Sequence, residues 1–103
     1  MAKLITVYWR DIPSQVIAKR GRETAKVPLA QRFQLAIDRA AMRAGKGSSD
    51  LYIEEWRREA RPCGNDLEAE ARAEAERLES AFSDVILDRM AKAGGVKVEE
   101  AGS

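Results

Sequence analysis

The sequence contains no histidine, which removes the side chain most often used as a general base and as a metal ligand. A Ser–His or Cys–His nucleophile pair cannot be assembled within one such chain. Zinc would have to be held by a single cysteine and carboxylates, a donor set it rarely accepts. The lone cysteine, Cys63, also rules out an internal disulfide, so the expected location is cytoplasmic. No apolar run approaches the ~20 residues that a membrane span requires. Met1-Ala2-Lys3 leads into a strand pattern and not into the apolar middle of a signal peptide. Only three prolines are present, and each reads as a boundary: Pro13 breaks an extended run, Pro28 opens a helix, and Pro62 ends the segment before Cys63.

What is present is charge. Charged residues make up 34% of the 103 residues, yet the formal net charge is only +1. Residues 1–48 carry ten Lys/Arg against three Asp/Glu, and residues 49–103 carry eight against fourteen. The front half is therefore +7 and the back half −6. Much of this charge is expected to neutralise across the fold; the remainder would make a basic and an acidic face.

Leu4 to Arg10 combines β-branched and aromatic residues. Leu4, Thr6 and Tyr8 alternate with Ile5, Val7 and Trp9. Both faces are largely apolar, which predicts a central strand. A second strand is expected from Gln15 to Arg20, a turn at Gly21, and a third strand from Glu23 to Val27. Leu29, Phe33, Ala36, Ile37, Ala40 and Ala44 then trace one face of a helix that Gly45 ends. Residues 50–61 fit either a strand or a helix capped by Ser49, and the strand is preferred because a hairpin needs further partners. A second helix follows Cys63-Gly64-Asn65-Asp66, either continuous or broken near residues 80–84, where Ser83 could cap a new start. The fold class is α+β: an antiparallel sheet of three to four strands with two main helices packed on one face. One domain over residues 1–95 and a flexible tail over 96–103 are expected.

The stretches Tyr8 to Pro13, Val16 to Arg22, Phe33 to Ala44, Glu55 to Arg58 and Pro62-Cys63-Gly64 together resemble the bacterial "virulence factor" domain family, and are similar to part of conserved virulence factor C. The resemblance spans roughly residues 3–90. It implies a small free-standing cytosolic member without the helical-repeat portion of longer relatives. It also implies an accessory role beside one-carbon metabolism that uses tetrahydrofolate and corrinoid methyl carriers. It supplies no catalytic motif and no cofactor to carry over.

Four places could hold a function. Lys19, Arg20, Arg22 and Lys26, joined by Arg10, form a basic hairpin that could bind an oxyanion, although its charges would equally protect a sheet edge. Net +1 argues against nucleic acid. Cys63 precedes a helix, where a thiolate would be favoured, with Arg61 nearby; a thiol-dependent enzyme or redox protein would use it. Trp9, Tyr52 and Trp56, with Arg57 adjacent to the last, would form either core or an aromatic patch. The glutamates of the second helix, Glu68, Glu70, Glu74, Glu76 and Glu79, would dock a basic partner or another copy of the chain, or simply be solvated. The reading that follows is a non-enzymatic accessory or protein-interaction module with an unknown protein partner, no membrane contact and homo-oligomerisation left open.

Overall fold

The computed structural model describes residues 1–97, at Ser49 the backbone alone. Both faces of the first strand are apolar, and the chain uses it as an interior strand. β1 (Lys3–Trp9) lies between β2 (Ile12–Arg20) and β4 (Trp56–Pro62), with β3 (Glu23–Pro28) outside β2. All three pairings are antiparallel. The helices are α1 (Gln31–Arg43), α2 (Ser49–Glu54), α3 (Leu67–Ala81) and α4 (Asp84–Lys92). The architecture is α+β. The last part of the expected tail, residues 98–103, lies outside the described residues.

Pro13 does not break the chain into two strands as expected; it lies inside β2. Two features accommodate it. The β1–β2 register slips between Val7 and Tyr8, so that Val7 faces Gln15 and Tyr8 faces Pro13. On its other side β2 meets β3 only from Gln15 onward, so no ladder there needs the N–H that Pro13 lacks. Gly21 makes the β2–β3 turn at φ +59°.

The ambiguous segment is both things in turn. Residues 49–54 are helical, with Ser48 at the N-cap position making no capping side-chain hydrogen bond, and residues 56–62 are a strand. The capping assigned to Ser49 falls on a side chain outside the described residues. The change of state at Glu55 is fixed from a distance. Its carboxylate pairs with Arg10 and Lys46, each at 3.3 Å, and its carbonyl accepts the Arg10 N–H at 3.0 Å. Trp9 Nε1 donates to the Tyr52 carbonyl at 2.8 Å, and the two rings stack at 5.7 Å.

The second helical region does break. Phe82 ends α3, and Ser83 Oγ accepts the Ile86 N–H at 3.2 Å to start α4. Arg32 clamps the break by donating to the carbonyls of Phe82 (2.5 Å) and Glu79 (2.7 Å). It also pairs with Glu79 and Asp84.

The core follows from these placements. α3 crosses β2 and β3 and lays Ala71, Ala75 and Leu78 over Leu4, Val16 and Ala18. Its alanines let the helix come close to the sheet. α1 buries Phe33, Ala36, Ile37 and Ala40 against the β1–β2 end of the sheet and packs on α4. Trp9 and Ile12 are fully enclosed there. Among the described residues no helix is long and apolar enough to cross a membrane.

Candidate functional site

Strand alternation sorts the sheet's side chains onto two unlike faces. Leu4, Thr6 and Tyr8 share a face with Val16, Ala18 and Val27 and with Arg57, Glu59 and Arg61. That face takes α3. It also takes both acidic residues of the strands, Glu23 and Glu59. The register sets Lys3, Ile5 and Val7 on the opposite face, with Gln15, Ile17 and Lys19, then Thr24 and Lys26, then Arg58 and Ala60. Trp9, Ile12 and Trp56 continue this face at the end where α1 and the Gly95 turn enclose Trp9 and Ile12, so the open part of the face runs from Lys3 to Val7. Val7 and Ile17 are buried, yet they stand outside the core cluster that the helices build. Ile17 stands between Ile5 and Lys26, and Val7 between Gln15 and Arg58, long side chains among them whose stems shield a sheet surface. Lys3, Lys19, Lys26 and Arg58 are exposed. None of these four makes an ion pair or side-chain hydrogen bond among the described residues. The open face therefore has an aliphatic centre and a rim of cations with no carboxylate.

The hairpin cations named from sequence divide between the faces. Lys19 and Lys26 stand on the open one. Arg20 points to the other and pairs with Glu23 at 2.7 Å. Arg22 is exposed at the turn. Arg10 is part of the scaffold: it stacks 5.5 Å from the Trp9 ring centroid, pairs with Glu55 and donates to the Gly94 carbonyl at 3.0 Å. Arg57 is also occupied. It donates to the Arg10 carbonyl at 2.9 Å, pairs with Asp11 and Glu59, and lies 4.5 Å over the Tyr8 ring. Its neighbour Arg58 is the free one, because adjacent strand residues face opposite ways. Lys3 and Arg58 were not singled out from sequence. The signal was there in the alternation Lys3-Ile5-Val7 and in the pair Arg57-Arg58, but not which face the helices leave bare.

Trp56 is half-buried and meets Tyr52 edge-on at 5.7 Å. With Val7, Ser14, Gln15, Arg57 and Arg58 it lines a depression of about 500 Å³ on the sheet. Trp9, by contrast, is core, so the three aromatics make no exposed patch. A second groove, about 570 Å³, runs between α1 and α4 beside Met42; Asp88 there pairs with Arg39 and Lys92, while Arg43 on its lining has no ion pair among the described residues.

Cys63 does not have the environment of an activated thiol. It sits beyond β4, where its N–H donates to the Ala2 carbonyl at 3.2 Å. Asp66, not Cys63, caps α3. Burial pushes the thiol above its ordinary range, Glu70 pushes it further, and Arg61 only partly opposes them. Of the helical glutamates, Glu74 is buried, and Arg77 with Arg61 holds it ionised below the usual carboxylate range against its burial. Glu79 braces α1 while staying about one-third exposed: its carboxylate accepts the Ala30 N–H at 2.6 Å and pairs with Arg32. Among the described residues no group of three or more Cys, Asp or Glu side chains could hold a metal ion.

The family described as "Virulence factor" matches residues 7–91, most of the chain. The chain belongs to the Virulence factor family. The part that this Virulence factor domain shares with its family runs from the middle of β1 into α4 and takes in Val7, Lys19, Lys26, Trp56 and Arg58. Lys3 lies outside it. No curated protein and no solved structure matches the chain.

Proposed function

We propose that this Virulence factor domain is a protein-interaction module, accessory to the activity of its partner, and that the open sheet face is where the partner binds. One observation carries the reading: Lys3, Lys19, Lys26 and Arg58 surround Ile5, Val7 and Ile17 with no counter-charge on that face. Arg10, Arg32, Arg39 and Lys46 of the front half meet anions of the back half, in Arg10–Glu55, Arg32–Glu79, Arg39–Asp88 and Lys46–Glu55, while Arg22 at the β2–β3 turn and Arg43 on α1 stand without an ion pair among the described residues. A surface that gathers four such unpaired cations and no carboxylate is suited to a complementary one. The one-carbon setting implied by the family resemblance gives a context for such a partner and rests on the resemblance alone. The thiol reading loses its physical support in the environment of Cys63.

The test is co-purification from the native cell with the wild type, with Lys19→Glu/Lys26→Glu/Arg58→Glu, and with Arg43→Glu on α1 as control. Loss of the same partner from the triple variant only supports the face. Equal recovery with all three proteins rules it out.

A further inference from the structure

The geometry of the open face limits what can lie on it. Its centre is aliphatic, because Ile5, Val7 and Ile17 occupy the two interior strands. Nucleic-acid bases would need aromatic rings to stack on, and the only ring here, Trp56, stands at one end and is already engaged edge-on by Tyr52. Its rim is cationic on three sides. Lys3 and Lys19 are cross-strand partners at one end of the interior pair. Lys26 flanks Ile17 from the outer strand β3, and Arg58 flanks Val7 from the outer strand β4. The four strands span roughly 14 Å in width, and the open stretch from Lys3 to Val7 is roughly 16 Å long. That is the footprint of one helix about 10 Å across and about three turns long. Cations on both outer strands call for carboxylates on both flanks of whatever covers the aliphatic centre.

We infer that the occupant is a carboxylate-rich amphipathic helix of a partner protein. Its apolar stripe lies on Ile5 and on the side-chain stems that shield Val7 and Ile17, its two acidic flanks meet the charged ends of Lys26 on one side and Arg58 on the other, and one apolar side chain enters the depression beside Trp56. The inference rests on the reading of the face proposed above and names the partner's chemistry. Such a contact is small, so it is transient, and its strength depends on salt. A second copy of this chain fits less well. Its α3 is acidic, but Glu68 is already paired with Arg72, and seating α3 of one copy on the sheet of the next is a head-to-tail contact that grows without closing.

The probe is a fluorescein-labelled helical peptide of about 18 residues with a leucine stripe flanked by glutamates on both sides. Its comparison is the same peptide with glutamine at every glutamate position. Fluorescence anisotropy should show saturable binding of the acidic peptide to the wild type, weakened at least about tenfold in the glutamine version and in Lys19→Glu/Lys26→Glu/Arg58→Glu, and unchanged in Arg43→Glu. The inference is overturned if the acidic peptide binds no better than the glutamine peptide. It is equally overturned if a single-stranded oligouridylate, vesicles of phosphatidylglycerol, or a second copy detected by sedimentation is bound in its place through the same cations. If the triple variant still loses its native partner in any of those cases, the face stands as an interaction surface and only the partner's chemistry is wrong. If the triple variant binds peptide and native partner as the wild type does, both readings fail.

Discussion

Replacing Gly95 with alanine tests how the end of the sheet is closed. Gly95 follows α4 at φ +93°, and its carbonyl accepts the Asp11 N–H at 2.9 Å, so it ties the C-terminal turn to the β1–β2 turn. A Cβ there would stand 2.8 Å from Trp9 Cζ3, 3.1 Å from Trp9 Cε3 and 3.3 Å from Ala40 Cβ. Trp9 cannot yield easily, since its ring is fully enclosed, stacked on Tyr52 and tethered by Nε1. The positive φ costs about 1–2 kcal/mol for an L-residue, and forcing extra volume into a packed core costs about 1–3 kcal/mol. Gly95→Ala should therefore lose about 2–5 kcal/mol, a large share of the ~5–15 kcal/mol that holds a small domain together. Gly21→Ala is the matched control. Its φ is +59°, but a Cβ there meets nothing within 4 Å. It should lose only the backbone part, about 1–2 kcal/mol. Urea denaturation followed by tryptophan fluorescence measures both. At about 4–8 °C per kcal/mol, the melting temperature should fall by more than ~10 °C for Gly95→Ala. Equal losses at the two positions would refute the packing argument.

Three further outcomes follow from named contacts. Glu74→Gln should cost about 1–2 kcal/mol at neutral pH, because Arg61 and Arg77 stay largely solvated when their partner is neutral. Since Glu74 is held below its ordinary range, its contribution is present above about pH 4.3 and fades as pH falls through its lowered folded value; urea midpoints across that range should be less pH-dependent in the variant. Ser83→Ala removes the cap of α4 and should cost about 1 kcal/mol by the same assay. Cys63 should be alkylated by iodoacetamide more slowly than glutathione at neutral pH, and a faster rate would restore the activated-thiol reading.

Much of the fold was legible in local pattern. The double apolar face of Leu4 to Trp9 identified an interior strand, Gly21 the turn, and the Phe33 to Ala40 spacing the buried face of α1. Where the sequence left two choices, a distant contact made the decision. Glu55 stops α2 because Arg10 and Lys46 hold its carboxylate, and the α3–α4 break is held by Arg32, some fifty residues back in the chain. Pro13 reads locally as a break, yet its tolerance inside β2 depends on where β3 stops pairing, which no local rule records.

The candidate site was legible in pieces. Lys19, Lys26 and Trp56 were recognisable as residue types worth attention. Alternation alone would have separated Lys19 from Arg20 and Arg57 from Arg58. What the sequence does not contain is which face α3 covers, and so which member of each pair is left free. Arg10 and Arg57 looked like binding residues and are instead spent on Trp9, Glu55, Tyr8 and Asp11. A charge count cannot make that distinction, because it depends on which anions the fold brings within reach.

The account turns on the sheet face that carries Lys19, Lys26 and Arg58. Photocross-linking in the native cell examines it directly, with p-benzoylphenylalanine placed at position 26 on that face or at position 43 on α1. Cross-linking to one discrete protein from position 26 and none from position 43 is the predicted result. The same adduct from position 43, with none from position 26, would contradict it.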